Sequence, residues 1–215
     1  MKKFSLLTLL AVIAVCLVSM AAYADTATLH FTGPVGPNNG YPYTTTVTGG
    51  PNPGIQGMMC ITDFQYINYG EQWNADVYTP EDAPLGGPAG DPVSSSGVTR
   101  EDYIEAAWLF DWAKADPSNT DYQRLAWYLF DNSGENSSAA SLLSEYFPTA
   151  PLSGPGNVAV YIWDGNTDTI SGQYGDDDPQ IFLGSAPTPE PSSLLLLGTG
   201  LSLLAFGLFR SKLVA

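Results

Sequence analysis

Residues 99–112 read TREDYIEAAWLFDW, and this stretch decides the fold class. Thr99 can cap a helix, and Glu101 and Asp102 suit the positive end of the helix dipole. The apolar residues that follow recur at helical spacing and mark one broad apolar face: Ile104, Ala107, Trp108, Leu109 and Trp112. The pattern predicts a helix in the middle of a chain whose other segments mostly alternate like strands.

The segments on either side complete the predicted fold. Two further helices are expected near residues 120–130 and over 137–146, the second ended by Pro148. Strand patterns lie before and after the helices, over 26–32, 43–48, 55–64, 72–78, 157–163, 167–170 and 180–183. We therefore predict an α+β fold, in which an antiparallel β-sheet of sandwich-like or barrel-like form is interrupted by a cluster of about three helices.

The composition excludes several classes of protein. The 215 residues include 22 acidic and 7 basic ones, for a net charge of −15, and such a chain repels nucleic acid. An apolar fraction of 44% with five Trp is too high for a disordered chain. Two cysteines cannot build a disulfide-rich scaffold or a cysteine-based zinc site.

Residues 1–24 are predicted to form a secretory signal peptide. Lys2 and Lys3 give a charged start, and residues 4–18 are nearly all apolar. Ala22 and Ala24 are small residues at the positions that a signal peptidase reads, so cleavage is expected before Asp25. The alternative is an uncleaved membrane anchor, but the apolar run is short for a span.

Residues 187–215 are predicted to form a C-terminal tail with a transmembrane helix over 192–209. An 18-residue helix is about 27 Å long, close to the hydrocarbon thickness of about 30 Å. Arg210 and Lys212 follow this helix and favour the cytoplasmic side. This division leaves residues 25–186 as the exported α+β domain.

The tail has three parts that together resemble a known sorting signal. Pro189, Glu190 and Pro191, the apolar helix, and the final Arg210 and Lys212 resemble the PEP-CTERM sorting tail. The resemblance implies export in a Gram-negative bacterium and recognition by an exosortase while the tail helix lies transiently in the inner membrane. It further implies delivery to the cell surface or extracellular matrix, and it says nothing about the chemistry of residues 25–186.

Cys60 is the single cysteine of residues 25–186, because Cys16 leaves with the signal peptide. No disulfide can form within this domain. An odd cysteine in an exported protein stays reduced, pairs with another molecule, or reacts. Cys60 is therefore the first candidate for chemistry.

Three segments containing Cys60 and Gln123 resemble thioester domains of bacterial surface proteins. They read MCITDF over 59–64, YIEAAWL over 103–109 and YQRLAW over 122–127, where that family usually has Thr before the Gln and an Ala two residues after it. With Asp63, Trp73 and residues 129–131, they resemble more closely a group of PEP-CTERM proteins of uncharacterised function. The first resemblance implies a thioester between Cys60 and Gln123 that acylates an amine on a target.

Elementary chemistry permits such a bond. A thiolate attacks the carboxamide, ammonia leaves, and surrounding aromatics, here Tyr103, Trp108 and Trp127, exclude water. The domain holds one lysine, Lys114, which limits acylation of the protein by itself. The alternative is that Cys60 packs as a small buried hydrophobe and that the Gln lies on the surface.

A second candidate site is for calcium. Asp164, Asn166 and Asp168 place oxygen ligands at alternate positions, like the start of an EF-hand loop. The sixth position is Thr169 rather than Gly, and the twelfth is Gly175 rather than Glu. The alternative is a β-turn followed by a solvated acidic loop. No other cofactor is expected.

The remaining candidates concern polysaccharide and catalysis. Trp73 and Trp163 lie at strand ends and remain candidates for stacking on sugars. The helical spacing of Trp108 and Trp112 instead indicates core packing. The sequence has no nucleophile elbow, zinc-protease motif or phosphate loop, and its one histidine, His30, lies in a predicted strand. We therefore expect a protein that is not an enzyme.

The function predicted from the sequence is that of an exported cell-surface or matrix protein with a non-enzymatic interaction or structural role. One alternative is a covalent adhesin with a Cys60–Gln123 thioester, and the other is a calcium- or polysaccharide-binding module. The expected partners are an exosortase and the inner membrane during sorting, and then a polysaccharide or an amine-bearing surface target. A nucleic-acid partner is not expected.

Overall fold

Six strands form a closed antiparallel barrel, and three helices lie between the fourth and fifth strands in the chain. The computed structural model describes residues 25–36, 41–62, 67–85, 97–131, 137–166 and 179–186, all within one compact unit, Tyr23–Pro187. The strands are β1 (Asp25–Val35), β2 (Tyr43–Gly49), β3 (Gly54–Cys60), β4 (Gln72–Tyr78), β5 (Val158–Trp163) and β6 (Phe182–Ser185). The helices are α1 (Arg100–Ala115), α2 (Asp121–Asp131) and α3 (Ser137–Tyr146).

The prediction of an α+β fold with an antiparallel sheet and about three helices is confirmed for these residues. Of the two sheet forms left open, the structure has the barrel, with strand order β1–β2–β3–β6–β5–β4 and β4 paired back to β1. The predicted signal peptide, sorting tail, transmembrane helix 192–209 and strand 167–170 lie outside the described residues. Among the described residues, no helix has the length and apolar character needed to cross a membrane.

The barrel interior is filled by every second residue of its strands. In β4, which reads QWNADVY, the buried positions are Trp73, Ala75 and Val77. They join an interior core that also contains Leu29, Cys60 and other buried residues of the remaining strands. This alternation is what a strand with one apolar face produces.

A second core lies outside the barrel, under the helices. Strand β5 is buried at all six residues. Its residues Ala159, Tyr161 and Trp163 belong to the interior core, whereas Val158, Val160 and Ile162 pack in the core that includes the helices. Helix α1 contacts β5 and β6, and α2 contacts β3. The helices therefore cover the outer face of three neighbouring strands.

A capping box starts helix α1 at the predicted position. The Thr99 hydroxyl accepts a hydrogen bond from the Asp102 backbone N–H at 3.4 Å, and the Asp102 carboxylate accepts one from the Thr99 N–H at 2.6 Å. Such reciprocal bonds satisfy two backbone donors that the first turn leaves without partners. They fix where α1 begins.

The barrel closes between β3 and β6 through a short ladder completed by side chains. The ladder pairs Met59 with Leu183 and Cys60 with Phe182. Beyond it, Asn52 Nδ2 donates to the Ser185 carbonyl at 2.9 Å, and the Ser185 N–H donates to Gln56 Oε1 at 3.1 Å. The two side chains thus pair with the backbone of Ser185, two residues beyond the ladder.

Candidate functional site

Cys60 is the last residue of β3, so the strand predicted over 55–64 is observed over Gly54–Cys60. Its side chain is fully buried and packs in the barrel-interior core. The thiol donates a hydrogen bond to the Thr62 carbonyl oxygen at 2.8 Å. Nearby, burial and the proximity of Cys60 raise the pKa of the Tyr43 phenol well above its usual range. The thiol therefore lies in surroundings of low polarity.

Gln123 lies on α2, where it is 3% exposed rather than on the surface. Its side-chain Nε2 donates a hydrogen bond to the backbone carbonyl of Cys60, 63 residues earlier in the chain. Its Oε1 is buried and has no hydrogen-bond partner among the described residues. Of the alternative stated above, the burial of Cys60 among hydrophobic residues is observed and the surface position of the Gln is wrong. The structure places the Gln123 side chain against the backbone of Cys60.

The packing of α2 explains why Gln123 reaches this position. Leu125, Ala126 and Phe130 of the same helix are buried in the core under the helices. Because α2 packs against β3, a buried side chain in its first turn comes beside the end of that strand. The contact joins the Gln123 side-chain amide to the backbone carbonyl of Cys60, whereas the Cys60 thiol itself packs in the barrel-interior core.

The three aromatic residues expected to shield this bond do not share one location. Tyr103 is fully buried and meets the Phe130 ring at 4.9 Å. The Trp127 indole N–H, one turn after Gln123, is buried without a hydrogen-bond partner among the described residues. Trp108 instead donates its indole N–H to the Ser153 carbonyl at 3.0 Å and belongs to a different aromatic cluster.

The lysine of the domain is held on the helical layer by two contacts. Lys114 Nζ lies 2.9 Å from the Asp111 carboxylate and 5.0 Å from the centre of the Phe110 ring. Arg124, next to Gln123 in sequence, pairs with Asp121 at 3.0 Å on the exposed side of α2. The local cations are thus engaged with acidic side chains of their own helices.

His30 and Cys60 lie on opposite faces of the barrel wall. The neighbours of His30 in β1, Leu29 and Phe31, point into the interior core that contains Cys60. Because successive strand residues alternate, the His30 side chain points outward. The structure therefore offers no Cys–His pair for nucleophilic catalysis at these two positions.

The first two residues of the calcium candidate form a turn after β5. The Asp164 carboxylate accepts the Asn166 backbone N–H at 2.9 Å, and the Asn166 carbonyl accepts the Trp163 indole N–H at 3.3 Å. Asp168 lies outside the described residues. Within the described ranges, no group of three or more potential ligands is placed to hold a metal ion.

The strand tryptophans, which were candidates for exposed sites, are buried, and two helix tryptophans expected in the core are partly exposed. Trp73 is 0% exposed and Trp163 is 6% exposed, because both point into the barrel, where Trp73 lies 5.9 Å from the Phe182 ring. The interpretation of these strand ends as open sugar-stacking sites is wrong. Trp108 and Trp112, expected in the core, are only partly buried.

The comparison with known families concerns the C-terminal tail. A family model of the PEP-CTERM protein-sorting motif matches residues 187–211. This chain carries a PEP-CTERM sorting signal. Pro189, Glu190, Pro191 and Arg210 fall within the match and Lys212 just beyond it, all five outside the residues that the structure describes. No curated protein and no solved structure matches the chain.

The PEP-CTERM match supports an exported protein of a Gram-negative bacterium that an exosortase processes at the membrane. It covers none of the residues of the barrel or the helices. Sequence reasoning did not foresee that Tyr122, Tyr146 and Phe147 would gather around Trp112. The available signal was the concentration of aromatic residues at the ends of the three predicted helices.

Proposed function

We propose that this PEP-CTERM protein is a cell-surface or extracellular-matrix protein whose domain forms an internal Cys60–Gln123 thioester and acylates an amine on a target. The observation that carries the proposal is the buried contact between the Gln123 side-chain amide and the Cys60 backbone carbonyl. A glutamine placed in the core needs a reason, since burying an amide without full hydrogen bonding costs about 1–3 kcal/mol.

The bond-forming step balances without any added reagent. The Cys60 sulfur attacks the side-chain carbonyl carbon of Gln123, the S–C bond forms, and the C–N bond breaks. The thiol proton leaves with the nitrogen as ammonia, which ends the thiol's hydrogen bond to the Thr62 carbonyl. The product is an acyl group held between β3 and α2.

The acyl group is then transferred once. An amine on the target attacks the thioester carbonyl, an amide forms at Gln123, and Cys60 regains its proton. Burial around both residues slows the competing attack by water. Because Gln123 stays bonded to the target, the protein does not turn over, which makes it a covalent adhesin rather than an enzyme.

The intact mass of the exported chain, purified in mild detergent, tests this proposal. We expect a mass about 17 Da below the value calculated from the sequence, the mass of one ammonia. Incubation with methylamine should add about 31 Da to that species, and fragmentation should place the methylamide on Gln123. Cys60→Ser, which keeps the size of the side chain, is the matched control and should have the calculated mass with and without methylamine.

A wild-type mass equal to the calculated one, with no methylamine adduct, would overturn the thioester. The same mass loss in Cys60→Ser would do so too, because ammonia would then have left another residue. Either result leaves the other role predicted from the sequence, an interaction or structural function that does not use Cys60.

A further inference from the structure

Four aromatic side chains from the three helices, and a fifth from the residue just after α3, meet on the outer side of the helical layer. We call them the aromatic cluster: Trp108, Trp112, Tyr122, Tyr146 and Phe147. Trp112 is central, with the Phe147 ring stacked on it at 5.2 Å and the Tyr146 ring at 5.6 Å. Tyr122 and Trp108 follow at 6.1 and 6.3 Å.

All five rings are partly exposed. Tyr103 and Phe130, which join the same helices to the barrel, are fully buried. Four members of the cluster pack against that core as partly buried side chains, namely Trp112, Tyr122, Tyr146 and Phe147. Partly exposed aromatic rings that contact one another offer apolar surface on which a ligand can stack.

Polar groups surround the cluster and are rich in oxygen acceptors. Asn119 and Asp121 lie beside the Tyr146 hydroxyl group. On α1, the Asp111 carboxylate receives Asn157 Nδ2 at 3.3 Å, one turn from Trp108 and next to Trp112. Flat rings bordered by carboxylates and amides suit a ligand with apolar C–H faces and many hydroxyl donors.

The charge of the domain selects among such ligands. Residues 25–186 contain 21 acidic and three basic residues, for a net charge of −18. Two of the three cations, Lys114 and Arg124, are paired with Asp111 and Asp121. An anionic polymer is therefore repelled, and an uncharged one is not.

We propose that the aromatic cluster binds a neutral polysaccharide, whose sugar rings stack on the exposed faces of Trp112 and its neighbours. The carboxylates and amides around the cluster accept hydrogen bonds from the sugar hydroxyls. This site is separate from Cys60 and Gln123, and it does not depend on the thioester.

Isothermal titration calorimetry on the full chain tests the site, in a detergent without a sugar head group. The probes are cellohexaose, laminarihexaose and mannohexaose, with hexagalacturonate as an anionic comparison of equal length. We expect at least one neutral hexasaccharide to bind and hexagalacturonate not to bind. Trp112→Ala should raise the Kd about tenfold or more, the loss of one good ring contact.

Three variants keep the result interpretable. Tyr146→Ala removes an outer ring with little effect on folding and should also weaken binding, which covers the case in which Trp112→Ala does not fold. Tyr69→Ala removes a tyrosine that is 77% exposed elsewhere, and it should leave the Kd unchanged. Cys60→Ser should bind like wild type, so failure of the thioester would not affect this test.

Four outcomes would overturn the proposal. They are no binding of any neutral hexasaccharide, an unchanged Kd in both Trp112→Ala and Tyr146→Ala, an equal loss in Tyr69→Ala, and tighter binding of hexagalacturonate. Sedimentation of the wild-type chain as a dimer that Trp112→Ala dissociates would instead assign the cluster to a second copy of the chain.

Discussion

The two halves of the barrel wall have opposite outer faces. On β1, β2 and β4 most outward residues are polar, and the Thr28 hydroxyl donates to Asn74 Oδ1 at 2.9 Å across the strands. On β3, β5 and β6 the outward residues include Val160, Ile162 and Leu183, which pack under the helices. A closed barrel needs one apolar face per strand, so a second apolar face shows which strands another layer covers.

The candidate chemistry lies on the covered half. Gln123 comes from the layer and Cys60 from the wall, and they meet only because α2 packs on β3. On the open half, the outward His30 of β1 is partly exposed. The packing of the helices on the covered half therefore completes the core and also brings Gln123 against the backbone of Cys60.

The largest expected difference between the two halves comes from placing a charge on the outer face of each. Val160→Asp buries a carboxylate under α1, and we expect the free energy of unfolding to fall by more than about 4 kcal/mol, or folding to fail. Thr48→Asp, at an exposed position of β2, should change it by less than about 0.5 kcal/mol. Urea unfolding followed by tryptophan fluorescence measures both, and similar losses in the two variants would contradict the distinction.

A smaller change tests the layer itself. Leu109→Ala leaves a cavity between α1 and the wall, and the free energy of unfolding should fall by about 2–4 kcal/mol. Leu152→Ala is the same substitution at a side chain that is 98% exposed, and its effect should stay below about 0.5 kcal/mol. If calorimetry gave the two variants equal melting temperatures, α1 would not be packed on the barrel as described.

The smallest expected effect is a pH dependence of stability that arises from Glu105 on α1. Burial, helped by Glu101 and Asp102, raises the pKa of Glu105 on α1 from 4.5 to about 7. The folded state then binds the proton more tightly than the unfolded state, so this group's contribution to stability is lost as the pH rises from about 4.5 to about 7. Glu105→Gln should remove this loss and raise the free energy of unfolding at pH 8 by about 1 kcal/mol, after allowance for solvent screening.

Melting temperatures at pH 5 and pH 8 measure this difference. Glu145→Gln, which removes an exposed carboxylate of α3, is the matched control for the change in net charge. The expectation for Glu105 fails if both variants gain the same stability between the two pH values.

Local signals in the sequence predicted most elements but not how they join. The capping box of α1, the helix Ser137–Tyr146 and the alternation of β4 follow from neighbouring residues, and the structure has all three. The closure between β3 and β6 depends on Asn52 reaching Ser185, 133 residues later. No local pattern encodes such a distant pairing, so barrel and sandwich stayed equally open.

For the candidate site, too, the sequence predicted local features but not those that depend on how distant elements pack. Cys60 was conspicuous as the single cysteine of the domain, whereas the burial of Gln123 depends on how α2 packs on another element. Trp73 looked open because it lies near a strand end, but the Phe182 ring covers it. Glu101, Glu105, Trp108 and Trp112 follow one another at intervals of four, three and four residues, so they share one face of the helix. The two glutamates on that face indicate that it points outward.

The pairing of β3 with β6 closes the barrel, and this closure has a consequence for aggregation. Each of the six strands has a neighbour on both sides, so the sheet does not end in an edge strand. Edge strands are templates on which a second copy adds its own strand, the first step toward aggregation. The Asn52 and Gln56 side chains occupy backbone groups of Ser185 that would otherwise be such a template. The barrel therefore offers a second copy of the chain no edge strand on which to add its own.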